Sequence, residues 1–182
     1  MVLSLPEVSR IIDSIDYLKH KVLLMTIYSA GLRVSEAINL KVSDIDSENM
    51  RIFVRSGKGD KDRYTILSHT TLKLLRKYYI AFRPTNWLFP SLSYPKNHLS
   101  VRSVQQAFHS SRIKAGIIKP ATVHTLRHSF ATHLLINGTN LFTIKTLLGH
   151  KSIQSTMVYL HLAPTRILSV VSPLDLEVPD FE

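Results

Sequence analysis

Cysteine is missing from all 182 residues, which excludes disulfide bonds and thiolate metal sites and fits an intracellular, cytoplasmic setting. No apolar run is long enough to cross a bilayer, and no basic segment followed by an apolar one opens the chain, so neither a membrane anchor nor a secretory signal is expected. Acids are scarce as well: 13 Asp and Glu face 23 Lys and Arg, for a formal net charge of +10. Four of those acids fall in the last eight residues, "DLEVPDFE", so the rest of the chain is more basic still. Such a body attracts polyanions, and nucleic acid leads because phosphate attraction is long range and independent of sequence. Basic charge alone would also fit a membrane-surface protein. Repeats and low-complexity segments are absent. The 45% apolar content supplies one core, so residues 1–182 read as one domain with a tail from about residue 160.

What is present reads as a mostly helical α+β chain. "SLPEVSRIIDSI" opens with Ser4 as an N-cap, a proline in the first turn and Glu7 three residues on, the pattern of a capped helix. "KVLLMTIYSA", from Lys21, is apolar nearly all round and predicts a buried helix, broken at Gly31 before a second one in "LRVSEAINL". Two β-rich runs, Arg51 to Arg55 and Arg63 to Leu67, flank a glycine-containing basic turn and predict an antiparallel hairpin or small three-stranded sheet. Helices follow in "HTTLKLLRKYYIAF", "VRSVQQAFHSSRIKAG", "TVHTLRHSFATHLL" and "NLFTIKTLLGH", the last capped by Asn140 and stopped by Gly149. A proline-rich loop with the single tryptophan separates the first two. Ser152 is expected to begin a final short helix that contains Tyr159.

One helix carries the unusual chemistry. In "TVHTLRHSFATHLL", Leu126, Phe130 and Leu134 fall at i, i+4 and i+8 and form the core stripe, while His124 and Arg127 share the first turn on another face. There, helix N–H groups and the dipole favour a phosphate. His128 and His133 read as solvated or satisfied helix residues. Elsewhere, Arg33 starts a helix with Glu36 three residues on, Lys58 lies in the turn "GKGDK", His150 follows Gly149, and Tyr159 comes nine residues later. Taken singly, Arg33 and Glu36 fit an ordinary i,i+3 pair, and Tyr159 in "MVYLHL" fits a packing residue. "GKGDK" lacks the G-x-x-x-x-G-K-[ST] spacing of a nucleotide-binding loop.

In order, "GLRVSEAINL", "SGKGDKDRY", "HTLRHSFATHLL" and "LLGHKSIQSTMVYLH" resemble the conserved boxes of the tyrosine recombinase (phage integrase) family, in its Xer-like branch. The resemblance runs from about Ser4 to about Pro173 and covers the catalytic domain. It implies the fold of the DNA breaking-rejoining enzymes: a helical catalytic domain with a small antiparallel sheet. It implies that Arg33 and Arg127 are the two catalytic arginines, Lys58 the hairpin lysine, His124 and His150 the two histidines, and Tyr159 the nucleophile. Lys61 competes with Lys58 in the same turn, and the family's "GKG" pattern favours Lys58. Members usually carry a separate N-terminal DNA-clamping domain; here Met1 lies at the start of the catalytic domain, so that domain is expected to be absent.

These residue types suit phosphodiester transesterification. Two guanidiniums can hold the charged non-bridging oxygens without a metal, and no cofactor is required. A phenol, with a reference pKa of about 10, needs a base or cationic neighbours to attack phosphorus. His124 is the candidate base, His150 the candidate donor to the phosphate, and Lys58 the candidate acid for the departing 5′ oxygen. The product would be a 3′-phosphotyrosine with a free 5′-hydroxyl. Three other functions compete. A metal hydrolase would draw on His124, His128, His133, His150 or His161, yet lacks H-E-x-x-H and carboxylate ligands. A DNA-binding module would keep the fold without the chemistry, and a type IB topoisomerase would use a similar site to let one strand swivel.

Double-stranded DNA is the expected partner. Lys61, Arg63, Arg102 and Arg112 are the expected DNA-binding residues outside the active site. In the tail, the resemblance implies docking on a neighbouring subunit, with Ile167 to Val171 as the plug of a tetramer on DNA and a monomer without it. The alternative is that these apolar residues fold back on their own core.

Overall fold

Ser4 caps the first helix, α1 (Leu5–Asp13). Its hydroxyl accepts the Glu7 amide at 3.4 Å, and the Glu7 carboxylate accepts the Ser4 amide at 2.7 Å. The computed structural model describes residues 1–55 and 62–160. The next helix, α2 (Leu18–Ala30), is buried over most of its circumference, with Val22, Leu23, Leu24, Thr26, Ile27 and Ala30 all inside. A helix apolar on every side has to lie at the centre; α1, α4 (His69–Phe82), α5 (Val101–Lys114) and α6 (Val123–Ile136) all pack against it. Among the described residues no helix is long and apolar enough to cross a membrane.

The predicted hairpin is present as β2 (Arg51–Val54) and β3 (Arg63–Ile66), antiparallel with Val54 opposite Arg63. A two-residue strand, β1 (Ile45–Asp46), completes a sheet of order β1-β2-β3. Thr65 donates to the Ala30 carbonyl at 2.8 Å, which ties β3 to the end of α2. Helix α7 (Leu141–Leu148) lies against the same strand. Its cap is the expected one, Asn140, whose side chain accepts the Thr143 amide at 2.8 Å.

Two helices differ from the sequence expectation. Helix α3 (Val34–Ile38) has only five residues, because Leu40 turns into the core and its carbonyl accepts the Leu88 amide at 2.8 Å. The last helix, α8 (Gln154–Met157), ends before Tyr159. That residue lies in the following turn, its amide bonded to the Thr156 carbonyl at 3.1 Å.

The core has two parts. The larger surrounds α2. The smaller holds Phe130, Ala131, Ile144, Leu148 and Tyr159, with Tyr28 touching both. Gly31, at the end of α2, stands where they meet. Its φ of 65° is left-handed, and an added Cβ would lie 2.4 Å from the Phe130 ring. The Gly31→Ala variant is expected to lose about 2–5 kcal/mol, from the left-handed backbone and the overpacked ring together. Urea unfolding measures it; a loss under 1 kcal/mol would mean the two parts separate easily here.

Candidate active site

Gly31 and Leu32 end α2 and turn the chain so that Arg33 stands at the start of α3. Its amide and its Nη1 both donate to Glu36, each at 2.8 Å. Two more guanidiniums reach the same carboxylate. Arg63 comes from β3, with Nη2 and Nη1 at 2.9 and 3.0 Å, and Arg127 comes from α6, with Nη1 at 3.5 Å. Three guanidiniums against one carboxylate leave the cluster two positive charges in excess. Burial raises the Glu36 pKa, but the Arg63 hydrogen bonds, the Arg33 amide and the charges of Arg63 and Arg127 outweigh it and hold the carboxyl below its usual range.

Arg127 is among the largest fully buried side chains, 1% exposed, although the sequence pattern puts it on a phosphate-facing turn. The reason is tertiary. Its Nη1 donates to the Gly31 carbonyl at 2.8 Å and its Nη2 to the Leu148 carbonyl at 2.7 Å, at the C-terminal ends of α2 and α7, where helices leave carbonyls without partners and favour a cation. Arg63 Nε does the same for the Leu147 carbonyl at 2.9 Å. Burial pulls Arg127 down to about 10, with Glu36 opposing, so it keeps its proton at neutral pH. The Arg33 side chain is the accessible one, at 38%.

Around this cluster stand three imidazoles and a phenol. His150, just past the left-handed Gly149, pairs Nδ1 with the Thr156 hydroxyl at 3.0 Å. Burial, then Arg127, Arg33 and Arg63, lower it to about 4, so it is neutral at pH 7. His124 is exposed at the start of α6, and burial of its ring, then the two arginines, lower its pKa too. Tyr159 is 2% exposed. Burial raises its pKa, while Arg127 and Arg33 pull it back, so the hydroxyl lies in the field of the same guanidiniums. Its ring is nearly parallel to that of His150, with centroids 6.4 Å apart.

The structure thus brings together Arg33, His124, Arg127, His150 and Tyr159, five of the six residues expected to act. The sixth, Lys58, lies outside the described residues, as do Lys61, His161 and the tail segment Ile167 to Val171. Two expected DNA contacts point inward instead. The Arg63 side chain is 8% exposed and committed to Glu36 and Leu147. Arg112 donates from Nη1 to the Ile117 and Lys119 carbonyls, both at 2.8 Å, and so clamps the turn after α5. Arg102 remains on the surface. His133 is satisfied, its Nδ1 2.9 Å from the Tyr28 hydroxyl.

His128 is the residue that sequence reasoning passed over. Its Nδ1 lies 3.2 Å from the Tyr159 hydroxyl, and its ring stands edge-on to His124 with centroids 4.4 Å apart. The signal was available in the i,i+4 spacing of two histidines on one helix face. Among the described residues no three histidine, aspartate or glutamate side chains gather as metal ligands would.

Residues 2–166 match the phage integrase family. The Sinorhizobium fredii protein y4qK, which carries an integrase/recombinase name, is 42% identical over 176 residues, 97% of this chain and 57% of its own length. The crystal structure of XerA recombinase superposes with a TM-score of 0.83 at 33% identity, over 93% of this chain and 61% of that one. The XerH recombinase in a post-cleavage complex with its difH substrate gives 0.81 at 27% identity, over 93% and 52%. The chain thus spans between about half and three fifths of the length of these relatives. The boxes around Arg33, Arg127, His150 and Tyr159, the fold that gathers them and these likenesses agree: the chain belongs to the phage integrase family and has the fold of its Xer-like tyrosine recombinase catalytic domains.

Proposed function

We propose that this domain cleaves and rejoins one strand of double-stranded DNA through Tyr159, as the catalytic part of a site-specific recombinase. The observation that carries this reading is the excess of buried positive charge held by Glu36 beside a tyrosine hydroxyl in its field. Charge fixed before the substrate arrives stabilises a pentacovalent phosphorus most effectively, because nothing reorients during the reaction. Arg33, partly exposed, is the arm that meets the phosphate; Arg127 is the fixed charge behind it. His150, neutral, donates to a non-bridging oxygen, and His124 stands at the phosphate's edge of α6. Lys58, which the sequence puts between β2 and β3, protonates the departing 5′ oxygen.

The phenolate oxygen forms the new bond to phosphorus, the bond to the 5′ oxygen breaks, and a 3′-phosphotyrosine conserves its energy for rejoining to another 5′-hydroxyl. None of these steps calls for a metal or a nucleotide. The XerH structures, bound to the difH substrate before and after cleavage, support a duplex as substrate. Assembly into a tetramer on DNA through the tail is part of the same proposal. The test uses nicked duplexes of random sequence at low salt with chelator present. A protein–DNA adduct that survives detergent and boiling is expected; its absence at saturating protein would overturn the proposal.

The DNA-facing surface includes α5. That helix has no acidic residue, and Arg102, Gln105, Gln106 and His109 form an exposed row at i, i+3, i+4 and i+7. Arg102→Ala is expected to weaken duplex binding and lower the slope of log K against log salt by about 0.9, one phosphate contact. Arg112→Ala should leave that slope unchanged, since its Nη1 is committed to backbone carbonyls. Equal slopes for Arg102→Ala and the parent would remove α5 from the interface.

A further inference from the structure

Tyr159 is almost fully enclosed, so its phenolic proton cannot pass directly to bulk water when the oxygen attacks. A protein group has to accept it. Among the described residues three imidazoles stand near the hydroxyl, and the geometry separates them. His150 lies against the tyrosine with the ring planes 10° from parallel, and its Nδ1 is engaged by Thr156. His124 makes no hydrogen bond to the tyrosine; it packs edge-on against His128, one ring farther out. Only His128 puts a ring nitrogen within hydrogen-bond distance of the reacting oxygen, at 3.2 Å.

We propose that His128 is the catalytic base of the cleavage step: its Nδ1 holds the Tyr159 hydroxyl and receives its proton as the oxygen attacks phosphorus. This rests on the strand-cleaving function proposed above and puts the base not at His124, where the sequence suggested it, but at the residue one turn along the same helix. The proton balance is closed. The phenolic hydrogen goes to Nδ1, the phosphorus–oxygen bond to the 5′ side breaks, and the departing oxygen takes its proton from a separate acid. On rejoining, His128 returns the proton to the phenolate as tyrosine leaves.

The role requires a His128 that is neutral with its proton on Nε2. Its surroundings supply the first condition. Burial, His124 beside it, the chain's amino terminus and Arg127 all hold its pKa below the usual histidine value. The other titratable groups facing it are Tyr159 and His150.

The test measures single-turnover adduct formation against pH, on a nicked duplex recovered by wild-type covalent capture. The parent rate should stay flat down through about pH 6.5, the ordinary histidine value, and fall only at lower pH, because burial and its cationic neighbours hold His128 below that value. His128→Ala should be slower by about 100-fold at pH 7, at the low end of what a positioned base contributes. Its rate should then climb roughly tenfold per pH unit, because hydroxide has to ionise a phenol whose pKa burial has raised. His128→Gln, which can hold the hydroxyl but not take its proton, should keep the slow, sloping profile. A His128→Ala rate within threefold of the parent with the same pH profile would refute the role. So would a faster rate, which would make the contact a latch on the nucleophile. A parent that forms no adduct on any duplex would instead remove the function on which the role depends. In the free protein, the His128 Nδ1 nitrogen shift should move on Tyr159→Phe; an unchanged shift would also refute the contact.

Discussion

The Glu36→Gln variant is expected to lose about 3–5 kcal/mol of stability, the cost of removing one partner from a buried ionic cluster. The residue keeps its shape but loses the charge that holds three guanidiniums in one place. Arg63 and Arg127 have side chains 8% and 2% exposed, and they would face each other without a counter-ion. Arg33, at 38%, can turn toward water and adds little to the loss. For a domain of this size the melting temperature should fall by roughly 6–20 °C, read by calorimetry. Sulfate should restore more of that loss than chloride at equal ionic strength, because a divalent oxyanion can replace the missing carboxylate. A fall under 2 °C would mean that the three arginines do not share Glu36. The same variant takes the charge from the one bond that holds the Arg33 side chain, Nη1 to Glu36, so adduct formation should decline beyond what the lost stability explains.

Tyr159→Phe is expected to abolish the covalent adduct, a loss of at least about 10⁴-fold, since phenylalanine has no oxygen to attack phosphorus. Duplex binding should stay within about twofold of the parent, because the phenol is neutral and removing its hydroxyl changes no charge that pairs with a phosphate. Folding should also survive, as the ring still fills the smaller core against Ile144 and Leu148. The comparison pairs an adduct gel with a binding titration at one salt concentration. Adduct retained by Tyr159→Phe would place the nucleophile elsewhere in the chain.

Much of this arrangement could be read from sequence because it is local. Ser4 with Glu7, Asn140, Gly31 and Gly149 mark helix ends by their own chemistry, and all four lie at helix ends. The hairpin followed from β-branched and aromatic runs on either side of a turn. What periodicity could not supply was the direction of charged side chains. It assigns faces by assuming that charges point outward, an assumption that fails at Arg127 and Arg63, where helix-end carbonyls from distant parts of the chain take the guanidinium, and at Arg112, where carbonyls of the turn just after its own helix do. The shortened α3 and the place of Tyr159 beyond α8 have the same origin, in contacts that a window of neighbours does not contain. His128 was missed for the opposite reason. Its spacing from His124 was visible, but its importance depends on a tyrosine 31 positions away.

The central claim is a covalent bond between Tyr159 and a DNA 3′-phosphate, formed within a pocket built by Arg33, Arg127 and Glu36. Mass spectrometry of the captured adduct, trimmed with nuclease and digested with protease, tests it most directly. The peptide containing Tyr159 should carry a nucleotide joined through its 3′-phosphate to the phenolic oxygen. A nucleotide on a serine or any other residue, or attachment through a 5′-phosphate, would contradict the account.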